Sequence, residues 1–114
     1  MKDWNDTSHS SEDKYDDDAN KYNDKGIAAY DQKNYEEAEK WYRKAIDADP
    51  NYKWAYYNLG LVFEAYDNYE EAIDWYKKAI AIDDEYANAH NGMGVCYYAL
   101  NNYKLARESY EKAI

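Results

Sequence analysis

Residues 53–86 read KWAYYNLGLVFEAYDNYEEAIDWYKKAIAIDDEY, and this stretch decides the fold because the chain repeats it on both sides. Compared with residues 19–52, 14 of 34 positions are identical. Glycine returns with the same spacing at Gly26, Gly60 and Gly94. A period of about 20–50 residues is typical of chains that stack copies of one supersecondary unit. The sequence therefore predicts a repeat array, a class of protein that mostly offers surfaces to other proteins.

Each unit is predicted to contain two helices joined by a turn. Apolar residues recur three and four positions apart over residues 54–65 and again over 69–80, which is the period of a helix with buried faces. Between them, Asn68 is a good N-cap, and Glu71 three residues later completes a capping-box pattern. Gly60 falls inside the first helix, where glycine costs about 1 kcal/mol against alanine. We therefore expect the two helices to cross closely there, with Gly60 facing Tyr76.

The outer face of the second helix carries acids placed four residues before bases. The pairs are Glu36–Lys40, Glu39–Arg43, Asp74–Lys78 and Glu108–Lys112. Side chains four apart on a helix are neighbours, and each such pair stabilises the helix by a few tenths of a kcal/mol. The spacing therefore predicts four ion pairs on the exposed face.

This pattern resembles the tetratricopeptide repeat, a family of helix–turn–helix units with a period of about 34 residues. The resemblance runs from about Ala19 to Ile114. It rests on Tyr22, Gly26, Ala38, Tyr42, Ala45 and Pro50 in the first unit, on Tyr56, Leu59, Gly60, Phe63, Ala72, Tyr76 and Ala79 in the second, and on Met93, Gly94, Tyr97, Ala106, Tyr110 and Ala113 in the third. It implies an all-α fold, a right-handed superhelix of antiparallel helix hairpins.

The resemblance divides the chain into an acidic leader at 1–18 and repeats at 19–52, 53–86 and 87–114, the third of them incomplete at its C-terminus. We expect the second half of the leader to extend the first helix, so that this helix covers about residues 12–32 with Ser10 or Ser11 as its cap. Residues 1–10 are expected to be flexible. The leader holds half of the net charge of −10, because its seven acids face two lysines.

Charge and composition exclude several classes of function. An acidic surface repels phosphate backbones, so we expect no nucleic-acid partner, whereas a basic protein surface would be attracted. No stretch approaches the roughly 20 apolar residues of a membrane span, and the N-terminus has no apolar core of a secretory signal. Cys96 is the single cysteine, which excludes an intrachain disulfide and favours a reducing compartment. We expect a cytoplasmic protein with no membrane contact.

In the family that the chain resembles, the first helices of successive repeats line a concave groove. The resemblance places these residues there: Asn23, Ile27, Tyr30, Trp54, Tyr57, Asn58, Leu61, Glu64, Asn88, Asn91, Val95 and Tyr98. Amides can pair with the backbone of an extended peptide, and aromatic rings supply rigid contact area. The predicted function is a protein–protein interaction module that takes an extended or helical peptide segment, apolar or basic rather than acidic. The alternative for Trp54 and Tyr57 is packing between repeats.

One ligand class of the family can be tested by position. Chaperone adaptors of this family grip a C-terminal carboxylate with lysines, an arginine and asparagines, and the second-repeat asparagine is present here as Asn58. The first-repeat lysine and asparagine have become Asn23 and Ile27, and the third-repeat lysine and arginine have become Asn88 and Gly92. We therefore expect that the chain does not bind a chaperone tail through a carboxylate clamp.

No catalytic, cofactor or metal site is expected. His9 lies in the leader, and His90 and Cys96 are expected to pack between helices as ordinary core residues. No cysteines and histidines have the spacing of a zinc site. Asp47 and Asp49 imitate the start of a calcium loop, but glycine and glutamate are missing at the required positions. The chain is therefore predicted not to be an enzyme.

Two alternatives concern the last helix. Ala106, Tyr110, Ala113 and Ile114 would lie partly bare at the end of the array, so residues 103–114 could join two copies into a homo-oligomer. In that case the groove would be idle or filled by the leader around Trp4. The chain could also be a fragment of a longer scaffold of such repeats.

Overall fold

In a computed structural model the chain forms six α-helices, with no strand over residues 2–114, and side chains are described from residue 17 onward. The helices are α1 (Lys2–Asp31), α2 (Tyr35–Ala48), α3 (Lys53–Ala65), α4 (Tyr69–Ile82), α5 (Ala87–Ala99) and α6 (Tyr103–Ala113). The all-α prediction is confirmed. Helix α1 begins at Lys2 rather than near residue 12, so Ser10 and Ser11 fall within the helix instead of capping its start. The segment that was expected to be flexible, residues 1–10, is helical from Lys2 onward. The division into a leader and three repeats stays a prediction.

The helices pair into three hairpins, α1–α2, α3–α4 and α5–α6, which stack through α2 on α3 and α4 on α5. The backbone of α3 also comes within 8 Å of both α1 and α5, whereas in the described part of the chain no Cα atom of α2 lies this close to α4, and none of α4 to α6. A stack that is closer on one side is curved, so the first helices of the hairpins line its concave side. The chain is therefore a helical repeat solenoid.

Every hairpin loop has the same local structure. In the first, Lys33 adopts a left-handed backbone with φ of 65°. Its N–H donates to the Tyr30 carbonyl at 2.8 Å, and the N–H of Asn34 donates to the Ala29 carbonyl at 2.9 Å. This is the Schellman ending of a helix, which satisfies carbonyls that lack a partner in the helix. The same arrangement recurs at Asp67–Asn68 and at Asn101–Asn102.

The N-cap prediction is confirmed, but the capping box forms only half. The side-chain oxygen of Asn68 accepts from the backbone N–H of Glu71 at 3.4 Å. The reverse bond, from the Asn68 backbone to the Glu71 carboxylate, is absent because the Asn68 N–H already donates to the Phe63 carbonyl at 2.8 Å. The residue that starts one helix therefore also completes the end of the one before it.

The glycine spacing has the expected cause. A Cβ built on Gly60 would lie 2.3 Å from Cε1 of Tyr76, whose ring is buried across the hairpin. Gly26 faces Tyr42 in the same way. The sequence pattern did not account for Gly92, whose built Cβ would lie 2.6 Å from Cζ of the same Tyr76 ring. One tyrosine is thus held between its own hairpin and the next one.

The outer face differs from the prediction. Of the four expected pairs, Glu39 and Arg43 form an ion pair at 2.9 Å, and no other of the four is formed among the described side chains. The ammonium group of Lys78 lies instead 4.7 Å from the ring centroid of Trp75. A cation over a tryptophan face is stabilised by about 0.5–1 kcal/mol at exposed sites, which is at least as much as an exposed ion pair contributes.

Candidate functional site

The twelve residues expected in the groove lie on the first helices α1, α3 and α5, as their numbering requires. Their exposure differs widely. Exposed are Ile27, Trp54, Asn88, Asn91, Val95 and Tyr98; half-buried are Tyr30, Tyr57, Leu61 and Glu64; buried are Asn23 and Asn58. Of these twelve residues, Glu64 alone carries a formal charge, and four of the six exposed ones are apolar or aromatic.

The two buried asparagines bind each other. The amide of Asn58 on α3 donates to the side-chain oxygen of Asn23 on α1 at 2.9 Å. The pair joins the first two repeats and satisfies polar groups that would otherwise be buried at a cost. Both amides were expected to face a peptide, but the structure uses them to hold adjacent first helices together.

Two aromatic residues expected in the groove, Tyr57 and Trp54, differ in how they are packed. The Tyr57 ring lies 5.7 Å from Tyr76 and 5.5 Å from Tyr86, between centroids, so it packs between repeats. Trp54 meets the edge of Tyr52 at 5.1 Å and keeps 49% of its surface exposed. Trp54 is therefore available to a ligand, while Tyr57 mainly supports the groove wall.

Glu64 lies at the end of α3 with its carboxylate half-buried. Its Oε2 accepts a hydrogen bond from the hydroxyl of the buried Tyr76. Burial raises the pKa of Glu64, and the Tyr76 hydrogen bond opposes this only in part. From Asp17 onward no lysine or arginine pairs with this carboxylate.

Tyrosines rather than cations surround Glu64. Burial raises the pKa of Tyr57, and repulsion from the Glu64 carboxylate adds to this. The pKa of Tyr30 is raised chiefly by burial, then by Tyr35 and by Glu64. Hydroxyl groups from α1 and α3 thus lie within the electrostatic range of a partly desolvated carboxylate that has no cation as a partner among the described side chains.

Sequence reasoning missed Lys53 at the edge of the groove. Its ammonium group pairs with the Asp83 carboxylate and lies 5.3 Å from the Trp54 ring and 4.8 Å from the Tyr86 ring. The Lys53 hydrogen bond lowers the pKa of Asp83, and burial raises that of Tyr86 to about 12. In the sequence, the only sign of this arrangement is that Lys53 directly precedes Trp54. Its pairing with Asp83, 30 residues away, could be seen only once the repeats were stacked.

The residues considered for chemistry are structural. His90 is buried, and its Nε2 lies 2.8 Å from the Asp84 carbonyl oxygen. Cys96 is buried, and burial raises the pKa of its thiol to about 12, so it is not a reactive thiolate. His9 lies outside the described side chains. From Asp17 onward no three histidine, cysteine or acidic side chains are grouped to hold a metal ion, and no described helix is long and apolar enough to cross a membrane.

The face of the last hairpin is open. A depression of about 540 Å³ is lined by Tyr98, Tyr103, Ala106, Arg107, Tyr110, Glu111 and Ile114. Tyr98 and Tyr103 are 61% and 57% exposed, and their rings meet edge to face at 5.2 Å. Of the residues expected to be bare here, Ala106 is buried, Tyr110 and Ala113 are half-buried, and Ile114 is exposed.

Several solved structures are similar to the chain. The second TPR of Spaghetti (RPAP3), bound to the HSP90 peptide SRMEEVD, matches with a TM-score of 0.80 and 25% identity over 84% of this chain and 89% of that chain. The first TPR of the same protein, bound to the same peptide, gives 0.82 and 26% over 85% and 77%. The N-terminal domain of stress-induced protein-1 from C. elegans gives 0.79 and 29% over 87% and 84%.

These structures correct one prediction. Two similar domains hold an acidic chaperone peptide, which conflicts with the expectation that the chain does not take this class of ligand. The expectation rested on the missing clamp residues, and the cation described beside Trp54, Lys53, is already paired with Asp83. Because domains of the same fold take an acidic peptide, the missing clamp residues alone do not exclude an acidic tail.

No curated protein matches the chain significantly. Models of a protein family, in contrast, match the sequence in two places. Models described as tetratricopeptide repeat match residues 17–85 and residues 87–114, which together cover nearly all of the described side chains. With three stacked hairpins and similar domains that bind peptides, the chain is built as a protein-interaction module, and it belongs to the tetratricopeptide repeat family.

Proposed function

We propose that the concave groove binds an extended or helical segment of another protein, apolar or basic in character, and that Glu64 receives a cationic side chain of that segment. The observation that carries this proposal is the half-buried Glu64 carboxylate, which has a tyrosine hydroxyl but no described cation as its partner. The module acts by binding, without catalysis or cofactor.

The energetics favour a cation at this position. A carboxylate that loses water on burial is costly unless an opposite charge or hydrogen bonds replace that water. Glu64 already bears this cost in the free protein, as the raised pKa of its carboxyl group reflects. A lysine or arginine of the ligand would therefore gain a charge-assisted hydrogen bond from an acceptor whose burial needs little further desolvation.

The rest of the groove suits an apolar segment. Ile27, Leu61 and Val95 lie on three successive first helices, and each is at least partly exposed. The exposed Trp54 supplies a rigid ring, the type of residue that dominates binding energy at protein interfaces. A ligand with apolar side chains and one or two cations would match both features.

Fluorescence anisotropy with labelled peptides tests this proposal. The panel contains a leucine/arginine peptide, a leucine/serine peptide and SRMEEVD at matched length. We expect the first to bind best, with Glu64→Gln weakening it about tenfold and leaving the leucine/serine peptide unchanged. Glu70→Gln, an exposed acid in the first turn of α4, is the matched control and should have little effect on either peptide.

Two results would contradict the proposal. One is that SRMEEVD binds most tightly and Trp54→Ala leaves its affinity intact. The other is that Glu64→Gln and Glu70→Gln weaken the arginine peptide equally, since that would reduce the effect to the net charge of −10.

A second candidate function is self-association through α6. It is favoured by the open depression around Tyr103 and Tyr110 and by the exposure of Tyr98 and Tyr103 on it, because contiguous apolar surface marks interaction sites. Light scattering over a range of concentrations tests it: association should rise with concentration and fall on Tyr103→Ser. A monomer at all concentrations would exclude this function and leave the groove proposal untouched.

A further inference from the structure

The first two repeats each place a tryptophan of the second helix beneath cations. On α2, Trp41 stacks on Tyr22 with centroids 5.8 Å apart and an interplanar angle of 20°. The ammonium groups of Lys25 and Lys44 lie 4.8 and 5.2 Å from its ring. The indole thus fills a slot with an aromatic floor and two lysines at its sides, and its N–H donates to the Glu37 carboxylate at 3.0 Å.

The second slot lies one period later and shares two members with the first, since Tyr56 and Lys78 are the counterparts of Tyr22 and Lys44. On α4, Trp75 is nearly parallel to Phe63 at 6.5 Å and lies 6.1 Å from Tyr56. The Arg43 guanidinium and the Lys78 ammonium lie 5.1 and 4.7 Å from its ring. The tryptophan therefore contacts its own hairpin and a cation from the hairpin before it.

In the third repeat the slot is present without its tryptophan. Adding 34 to 75 leads to Ser109, and the same step takes Arg43, Tyr56, Phe63 and Lys78 to Lys77, His90, Tyr97 and Lys112. All five of the shifted residues line one cavity of about 270 Å³, together with Ile80, Met93, Leu105 and Glu108. The cavity is thus the third member of a repeated site, left open where serine replaces tryptophan.

We propose that this cavity, the Ser109 slot, binds a tryptophan side chain of a partner protein. Its two internal counterparts show which group this arrangement of residues accommodates. Pockets for drug-sized ligands measure about 300–1,000 Å³, so the volume of the slot suits a single aromatic side chain. Lys77 and Lys112 supply the cations that a π face attracts, and Met93 supplies a sulfur that packs well against a ring.

The remaining lining is compatible with an aromatic guest. His90 is fixed by its contact with the Asp84 carbonyl oxygen at 2.8 Å, so it serves as a wall in the place of Tyr56. Ser109 is itself buried at the base and leaves the space above it unfilled. None of the lining residues belongs to the twelve residues of the groove, so the Ser109 slot is a second site that does not depend on the proposed groove ligand.

The test uses N-acetyl-tryptophanamide as the probe and the methyl signals of Met93 and Met1, the two methionines of the chain. With ¹³C-methyl methionine, the probe should shift the Met93 signal through the ring current of the indole, with saturation in the millimolar range. The Met1 signal should not move. N-acetyl-leucinamide, matched in its backbone but without a ring, should shift the Met93 signal at least tenfold less.

Substitutions at the slot give the decisive comparison. Ser109→Trp should fill the slot from within, abolish the response to the probe and raise the melting temperature, whereas Ser109→Ala should retain the response. Lys112→Gln, at an exposed position that leaves the fold intact, should weaken the probe about two- to fivefold. The proposal is overturned if the Met93 signal ignores the probe in the wild-type protein, if folded Ser109→Trp responds like Ser109→Ala, or if Lys112→Gln has no effect.

Discussion

At the residue scale, Tyr76 shows why the repeat needs glycine. Its buried ring meets Gly60 on one side and Gly92 on another, and its hydroxyl donates to Glu64. The ring is fixed by its own hairpin, by the next hairpin and by a hydrogen bond, so it cannot move to make room for an added methyl group. The helix-destabilising glycine is retained because the alternative is a clash with a side chain that cannot move.

We predict that Gly60→Ala lowers the free energy of unfolding by about 1–2 kcal/mol, because overpacking costs more than the helix gains from alanine. Gly94→Ala is the matched control. Its built Cβ also lies close to a tyrosine ring, 2.5 Å from Cε1 of Tyr110, but that ring borders the open depression and can shift. We expect a change below about 1 kcal/mol there. Equal losses in urea denaturation of the two variants would contradict this account.

Glu64 gives a prediction with a defined pH dependence. Because its pKa is raised above the ordinary 4.5 by burial, the folded protein holds this proton more strongly than the unfolded chain does. Stability is therefore lost as the pH rises from 4.5 through the folded pKa, and Glu64→Gln avoids that loss. We expect Glu64→Gln to be more stable than wild type at pH 7, with the difference shrinking towards pH 4.

Urea denaturation at both pH values measures this difference, and a pH-independent or negative difference at pH 7 would contradict the assignment. Combined with the proposed function, the same substitution should stabilise the free protein and weaken its basic ligand. That opposition is expected where a binding residue is retained at a cost to stability.

Single residues also show where sequence reasoning reaches its limit. The Gly60–Tyr76 contact was predictable because both residues lie in one hairpin at fixed spacing. The role of Gly92 was not, since it depends on how the next hairpin stacks. The Asp74–Lys78 pair was predicted from helical spacing alone, but the nearby Trp75 ring attracts the lysine instead.

At the element scale, the hairpin loops combine two functions in two residues. A left-handed residue ends the first helix and the asparagine after it starts the second, in all three repeats. The asparagine caps were predictable from the amino-acid sequence. The left-handed backbone at Lys33 could not be predicted, because lysine does not favour this conformation.

We predict that Lys33→Gly stabilises the protein by about 1 kcal/mol, because glycine adopts the required φ of 65° without a Cβ penalty. Lys40→Gly removes the same charge from an exposed position inside α2 and should destabilise by about 1 kcal/mol. Thermal or urea unfolding of the two variants gives the measurement. If Lys33→Gly and Lys40→Gly both lose stability, the left-handed backbone at Lys33 does not reduce the stability of the protein.

At the scale of the whole molecule, stability is expected to decrease towards the last hairpin. Helix α3 has neighbours on both sides and buries six residues, whereas α6 buries only Ala106 and Ser109. In a repeat array each unit is stabilised by its neighbours. We predict that in hydrogen exchange the amides of α6 exchange fastest among helices α2 to α6 and those of α3 slowest. Equal protection of α3 and α6 would contradict this gradient.

The helices that carry the twelve expected groove residues were predictable, but the contacts of these residues were not. The family resemblance assigned the residues to the first helices, and they lie on α1, α3 and α5. The period could not reveal that Asn58 binds Asn23, or that Lys53 reaches Asp83. Both contacts cross from one repeat to the next, where packing rather than local pattern decides.

The central claim is that Glu64 receives a cation of the ligand, and a double-mutant cycle tests it most directly. The affinities of wild type and Glu64→Gln are measured for the leucine/arginine peptide and for versions in which each arginine is replaced by glutamine. We predict a coupling of about 1 kcal/mol or more between Glu64 and one arginine of the peptide. Additivity within about 0.3 kcal/mol at every arginine would contradict the claim.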